Sequence, residues 1–331
     1  MIFCYVRKHY QILKYSYLSN YKIGTGAFST IKIGDKLSPF TPSAISLSKY
    51  NMYKKIHQEY LERFRIAHNV NNYSEFQSFN PLTKEINTHT RNVLGYGDNK
   101  EYGTMDTTGT ASGLSSKELK EKALLELIEK NEVMLIWYLE KGFNVLIDEE
   151  IKKLINSIGF HSEDIYIFCS SNLCNLTTFA VFLFDDKGIV STGVSLNKDP
   201  KKALTNALLE AKLLESFYRD SETSPYKSFN QYNYKIIYEF IDKLSKSMKC
   251  INFVDDIQQD IILSPWINSI EFAVLNTNSY QEYVTIRCFS KELLNAIPSD
   301  GNILANLDKK IFRIYHLDED GILKKPSCII L

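Results

Sequence analysis

Two glutamates three residues apart, Glu126 and Glu129, sit inside the run Ala123-Leu124-Leu125-Glu126-Leu127-Ile128-Glu129. On a helix turning about 100° per residue, the apolar side chains of that run cover about 200° and leave both carboxylates on one narrow face. A carboxylate flanked by so much hydrocarbon is shielded from bulk water and needs a partner. Two other stretches of helical spacing also carry Glu, the first again as a pair three apart and the second as Glu210 in apolar-rich surroundings. One carries Glu59 and Glu62, followed by Arg63; the other carries Glu210 and Glu215 among Ala207, Leu208, Leu209, Ala211, Leu213 and Leu214. Spacing of i,i+3 brings two carboxylates near enough to share a cation. Pairs facing one cavity would repel each other unless protonated or neutralised. Mg²⁺ is the natural neutraliser, a hard ion that takes one or two carboxylates together with the phosphates of a substrate. The bland alternative is a solvated helix face, and Glu59 and Glu62 beside Lys54, Lys55 and Arg63 fit it well. Composition does not say whether the three helices converge.

The elements that must position these acids follow from local signals. Upstream of the central pair, Thr107–Gly113 is rich in small and hydroxyl residues, a loop whose backbone N–H groups suit a phosphate. Ser115 and Glu118 form a capping box, which predicts a helix over 115–141. A helix over about 46–68 carries Glu59 and Glu62. The Asn- and Thr-rich stretch 69–100 reads as largely loop, and 148–158 as a shorter helix. Strands are expected within 21–33 and over 165–170, 177–184 and 188–194, with a hairpin turn at Asp185-Asp186-Lys187-Gly188. Asp199 caps and Pro200 opens the helix of Glu210, reaching about Tyr218. A helix over 232–248, strands over 270–275 and 283–288 and a short helix near 291–296 complete the reading. Helices and strands alternate without a βαβ rhythm, so the expected class is α+β in one large domain.

Composition narrows the function. With 331 residues, 44% of them hydrophobic, the chain can bury a substantial core. Its 39 basic and 39 acidic residues cancel, which disfavours a sequence-independent nucleic-acid binder. The six cysteines form no CxxC pair, so neither a disulfide framework nor a structural zinc site is expected. The six histidines show no ligand spacing, and no G-x-S-x-G elbow is present. Charged residues interrupt every apolar run near the N-terminus, so the reading is cytoplasmic, with no signal peptide and no membrane span. Gly24-Thr25-Gly26 lacks the context of a dinucleotide fingerprint, and the final Cys328-Ile329-Ile330-Leu331 is read as a chance match to a prenylation pattern.

Three motifs in order carry a family resemblance. Thr108-Gly109-x-Ala111-x-Gly113 followed by Leu124-Leu125-Glu126-Leu127-Ile128-Glu129-Lys130 resembles the central motif of the YcaO family. Upstream, Glu59-Tyr60-Leu61-Glu62-Arg63 resembles its first Glu-x-x-Glu-Arg. Downstream, Gly193 and then Asp199-Pro200-x-x-Ala203-Leu204-x-x-Ala207-Leu208-x-Glu210-Ala211 resembles its third. The resemblance implies a YcaO-like α+β fold, with mixed sheets and helices bearing the nucleotide-binding acids. It divides the chain into an N-terminal extension (1–20), a catalytic domain (21–310) and a C-terminal tail (311–331).

The resemblance further implies an ATP-dependent enzyme that phosphorylates a peptide amide oxygen after a nucleophile has added to the carbonyl carbon. Its expected cofactors are ATP and Mg²⁺. Glu59, Glu62, Glu126, Glu129 and Glu210 match the Mg²⁺ and nucleotide ligands, Arg63 matches a phosphate contact, and Lys130 joins them as a nucleotide-binding position. The expected product is a thiazoline or oxazoline ring in a ribosomally made peptide. A thioamide- or amidine-forming enzyme is the alternative, as is a catalytically degenerate scaffold subunit. The expected partners are a precursor peptide and a separate leader-peptide-binding protein, and self-association into a homodimer stays open. The sequence departs from the family pattern at Ala44-Ile45-Ser46, where Gly-Lys-Gly is usual, and at Lys55, where a serine is usual. Lys130-Asn131 replaces Arg-Asp, which keeps a charge without arginine's bidentate fork, and Leu213 replaces a glutamine. Ring-forming members end in a proline-rich tail, whereas this sequence closes KKPSCIIL with the single Pro326.

Overall fold

A computed structural model describes residues 9–12, 20–28, 32–33, 36–37, 42–95, 97–186, 188–218, 231–275 and 282–330. The chain divides into two compact units. The first comprises Met1–Leu127, Trp266–Ile297 and Asp308–Ile311, and the second Ile128–Pro265, Pro298–Leu307 and Phe312–Leu331.

In the first unit, helix α1 (Lys49–Asn72) starts where Ser48 accepts a hydrogen bond from the Asn51 N–H, satisfying one of the helix's unpaired donors. One side of α1 buries Met52 and Ile56 with Phe28 and Ala44, from a three-stranded antiparallel sheet ordered His9–Ile12, Lys22–Ala27, Ser43–Ser46. Further along, Ile66 and Ala67 pack with Tyr102, Met105, Ala273, Leu275 and Phe289 against a second sheet. That sheet has five antiparallel strands in the order Thr110–Gly113, Val284–Phe289, Glu271–Leu275, Glu75–Asn80, Glu85–Thr90.

Three expectations fail in this unit. The stretch read as loop over 69–100 holds the hairpin Glu75–Asn80/Glu85–Thr90. The glycine-rich segment read as a loop ends in a strand, with Thr110 to Gly113 paired to Arg287 to Val284. Gly109, at φ +77°, turns the chain into that strand, and a Cβ there would lie 2.3 Å from the Cys288 carbonyl oxygen. Finally, 291–296 is irregular and not helical. There the Asn295 carboxamide accepts from the Ser290 N–H, and the Ser290 hydroxyl accepts from the N–H groups of Glu292 and Leu293. These side-chain bonds replace the helical ones. Most of the expected N-terminal extension, 1–8 and 13–19, lies outside the described residues, as does Lys187 of the expected turn.

Helix α2 (Ser116–Leu139) contributes its first half to the first unit and its second half to the second. Val133 to Tyr138 are all buried, so this end of α2 is covered on every side. The second unit is built on a sheet ordered Gly188–Leu196, Thr178–Asp185, Asp164–Ser170, Phe143–Val145, Cys250–Ile251. All of its ladders are antiparallel except the last. Helix α3 (Glu149–Ile158) is capped by Asp148 and ended by Gly159 in the left-handed region. Helix α4 (Pro200–Tyr218) lies on the edge strand Gly188–Leu196 so closely that a Cβ on Gly193 would sit 2.1 Å from the Ala207 carbonyl oxygen. Helix α5 (Gln231–Ser247) buries Ile237, Ile241 and Leu244. Beyond Pro298 the chain forms three short helices, Asp300–Leu304, Lys310–Tyr315 and Glu319–Leu323. The last segment is tied to α2: the Trp137 indole donates to the Pro326 carbonyl, and the Cys328 N–H donates to the Tyr138 hydroxyl. The Cys328 thiol is buried. Antiparallel sheets with separate helices make this an α+β fold with mixed pairing, as expected.

Candidate active site: two carboxylate clusters

In the first unit, α1 sets Glu59, Glu62 and Arg63 beside the edge strands of both sheets. An edge strand offers backbone N–H groups that no neighbouring strand takes. Glu59 Oε2 accepts from the Ser43 N–H at 3.2 Å, and Glu62 Oε1 from the Ser112 N–H at 2.9 Å. Arg63 Nη2 donates to Glu59 Oε1 at 2.5 Å. From α2, Lys122 Nζ stands 3.6 Å from Glu62 Oε1. Burial raises the Glu59 carboxyl to about 7, with repulsion from Glu62 adding to it and Arg63 opposing. Burial also raises Glu62, against the pull of Lys122. The Lys122 ammonium is held above its ordinary range by Glu62 first, with Glu126 and Glu59 behind it. Burial lowers Lys55, whose ammonium donates to the Ile45 carbonyl at 3.3 Å.

The second unit repeats the device with different elements. The edge strand Gly188–Leu196 presents two N–H groups of the same parity. Val194 donates to Glu210 Oε2 on α4 at 2.7 Å, and Leu196 donates to Glu129 Oε2 on α2 at 3.1 Å. Lys130 Nζ lies 3.6 Å from Glu129 Oε1, and its side chain is only 9% exposed. Burial raises both glutamates; Lys130 opposes the shift at each, and repulsion from Glu210 adds to it at Glu129. Gly193 matters here, because only a missing side chain lets α4 approach closely enough for Glu210 to reach the strand.

All seven expected site residues thus fall on the three helices anticipated for them. The structure brings Glu59, Glu62 and Arg63 together with Lys122 and the field of Glu126, and separately groups Glu129, Lys130 and Glu210. Glu215, noted beside Glu210, belongs elsewhere. It accepts from Lys212 Nζ at 2.7 Å and from the N–H groups of His161 and Ser162, which saturates its carboxylate. Sequence reasoning missed Lys122 and the four edge-strand N–H groups. Lys122 carries a faint signal, since it precedes Glu126 by four residues and so shares its helix face. The N–H groups carry none.

The YcaO family model, described as a YcaO cyclodehydratase that binds ATP and Mg²⁺, matches residues 89–249. That match spans just under half of the chain, which is thus similar to the YcaO family, and ATP and Mg²⁺ are the ligands that the family's description names. The matched stretch holds Glu126, Glu129, Lys130 and Glu210, while Glu59, Glu62 and Arg63 lie upstream of it. The fold is similar to that of YcaO from Methanopyrus kandleri, solved with AMPPCP and Mg²⁺, at 11% identity and a TM-score of 0.69 over 87% of this chain and 86% of that one. It is also similar to a chain of the Escherichia coli microcin synthetase McbBCD complex with pro-MccB17 bound, at 14% identity and a TM-score of 0.65, covering 94% and 96%. A heterocyclase in complex with substrate and cofactor matches at 10% identity and a TM-score of 0.56 over 84% of this chain and 48% of that one. No curated protein matches in sequence. No helix among the described residues is long and apolar enough to cross a membrane.

Proposed function

We propose that this chain is an ATP-dependent cyclodehydratase that closes thiazoline or oxazoline rings in a ribosomally made peptide. Glu59, Glu62, Glu126, Glu129 and Glu210 would hold Mg²⁺, and Arg63 and Lys130 would steady the nucleotide phosphates. The observation that carries this reading is the state of the acids. Each of Glu59, Glu62, Glu129 and Glu210 is oriented by one edge-strand N–H yet retains acceptor capacity, and each has a raised affinity for a proton. Carboxylates so placed are poised for a cation.

The donor set fits the group. Carboxylate oxygen is the ligand Mg²⁺ prefers. Arg63 Nη1 is buried and has no hydrogen-bond partner among the described residues, which suits a phosphate oxygen. Among the described residues, no three His, Cys, Asp or Glu side chains group to hold a metal ion by themselves. A cation here therefore takes further ligands from phosphate and water, as Mg²⁺ commonly does.

ATP supplies the phosphoryl group that makes the amide oxygen a leaving group. A Cys thiol or a Ser or Thr hydroxyl of the peptide adds to the preceding carbonyl carbon. The former carbonyl oxygen, once phosphorylated, departs as phosphate while the C=N bond of the ring forms, and ADP is the other product. This chain's residues contribute charge neutralisation and alignment, the main levers on phosphoryl transfer. A separate partner protein that binds the leader would present the precursor peptide.

The test is mass spectrometry of a Cys/Ser/Thr-rich precursor incubated with the protein, partner, ATP and Mg²⁺. Loss of one water per ring with matching phosphate release supports the reading. A gain matching oxygen-to-sulfur exchange identifies a thioamide former, and replacement of the amide oxygen by nitrogen an amidine former. Absence of phosphate release with peptide and partner present identifies a scaffold.

A further inference from the structure

Each cluster carries its own ammonium from α2, and the two differ in freedom. Lys130 is enclosed, with 9% of its side chain exposed. Lys122 reaches Glu62 with a side chain 59% exposed, its stem in water and its charge turned inward. Its ammonium stands 3.6 Å from Glu62, a carboxylate assigned above to a divalent cation, and Glu126, another, follows four residues on along the same helix. Because that stem is exposed, the side chain can swing away from Glu62 without opening a void in the packing.

We propose that Lys122 is a displaceable counter-ion that occupies the charge position of the divalent cation in the nucleotide-free protein, and that it moves to a phosphate oxygen when cation and nucleotide bind together. The proposal rests on the Mg-nucleotide reading of the acids. Its physical logic is mutual exclusion. An ammonium and a divalent ion facing the same carboxylates repel, so either the ammonium leaves or the cation does not enter. A triphosphate resolves the conflict, because it brings ligands for the cation and an acceptor for the displaced lysine. Lys122 would thereby make cation uptake depend on nucleotide. Within the same cluster Arg63 does not share this task, since Glu59 holds one of its nitrogens at 2.5 Å. Lys55 is turned to the Ile45 carbonyl.

The test measures Mn²⁺ binding by electron paramagnetic resonance on the full chain as wild type, Lys122→Met and Lys122→Arg, with and without AMPPNP. Methionine preserves the stem and suits an exposed helix position, so thermal melts without cation should coincide. Without nucleotide, Lys122→Met should bind Mn²⁺ at least about tenfold more tightly than wild type, with Lys122→Arg close to wild type. With AMPPNP the order should reverse, Lys122→Met holding the Mn²⁺-nucleotide several-fold more weakly. Opposite shifts of this kind cannot come from structural damage. If wild type takes up Mn²⁺ with AMPPNP but Lys122→Met shows no gain without it, the counter-ion role is wrong and the acid site stands. If no variant takes up Mn²⁺ even with AMPPNP, both readings fall.

Discussion

Two acid regions of the first unit, one buried and one half-buried, treat their carboxylates in opposite ways. Glu271 accepts from Ser78 Oγ at 2.5 Å, Tyr102 OH at 2.5 Å, His89 Nε2 at 2.9 Å and Asn87 Nδ2 at 3.2 Å. Burial alone would raise this carboxyl, but the four donors hold it at about 2. Glu59, with one N–H and one arginine, is pushed by burial to about 7. The first is a finished network in which every oxygen is used. The second is unfinished and its side chain is one-third exposed, so its remaining acceptor sites are open to water or a ligand. Glu132 and Glu215 in the second unit are likewise surrounded by donors, although burial still raises Glu132. Glu132 accepts from Ser170, Asn172 and the Leu173 N–H, and Glu215 from Lys212, His161 and Ser162. The fully buried glutamates, Glu271, Glu132 and Glu215, thus have their acceptors filled, whereas the half-buried Glu59, Glu62, Glu129 and Glu210 keep acceptor capacity.

Several substitutions can break or sharpen that contrast. Glu271→Gln should cost the most, about 3 kcal/mol in urea unfolding, because a neutral amide leaves charged-state hydrogen bonds unmade. The same group sets an acid limb. Its folded value lies below the unfolded 4.5, so its stabilisation is present above about 4.5 and is lost as pH falls towards about 2. Glu271→Gln should flatten that limb in a pH series of melts. Glu129→Gln and Glu126→Gln should do the reverse, leaving the unfolding midpoint nearly unchanged but cutting peptide-dependent phosphate release about 100-fold, near 2.7 kcal/mol of barrier. Intact hydrolysis in both would remove the site assignment.

Gly193→Ala should cost about 2 kcal/mol, because its Cβ meets the Ala207 carbonyl oxygen and forces α4 off the strand. It should also weaken ATP binding, since the Val194–Glu210 bond lengthens; urea unfolding reads the first change and titration calorimetry the second. Glu59→Gln should have the smallest effect, about 0.5 kcal/mol. A carboxyl raised to about 7 stabilises the fold below its unfolded value of 4.5, and that contribution is lost as pH rises through 7. The variant should lack that slope between pH 4.5 and 7.

Much of the helical framework was legible because its signals are local. Ser48, Asp148 and Asp199 each sit where a helix begins, and Pro200 follows Asp199 as the first helical residue. The hydrophobic strands over 164–196 were equally plain. The hairpin over 75–90 was not, for a physical reason. Its buried face carries Ser78, Asn80 and His89, whose satisfaction comes from Glu271 and the Asn268 carbonyl far along the chain, so the apolar alternation that announces a strand is missing. Thr110 to Gly113 looked like a ligand loop because small residues are common to both, and only pairing with Arg287 to Val284 makes it a strand.

The sequence by itself determined the long helices α1, α2 and α4, that each carries acids among apolar residues, and that three motifs fall in YcaO order. Spacing along one helix fixes which side chains share a face, and that information is local. Tertiary structure alone decided which acids have their oxygens filled and which keep acceptor capacity. A carboxylate's fate depends on how many donors surround it, and those donors arrive from distant strands: Ser43 for Glu59, Ser112 for Glu62, Leu196 for Glu129 and Val194 for Glu210. Lys122, a surface lysine in the sequence, acquired its place in the same way, from the carboxylate of another helix.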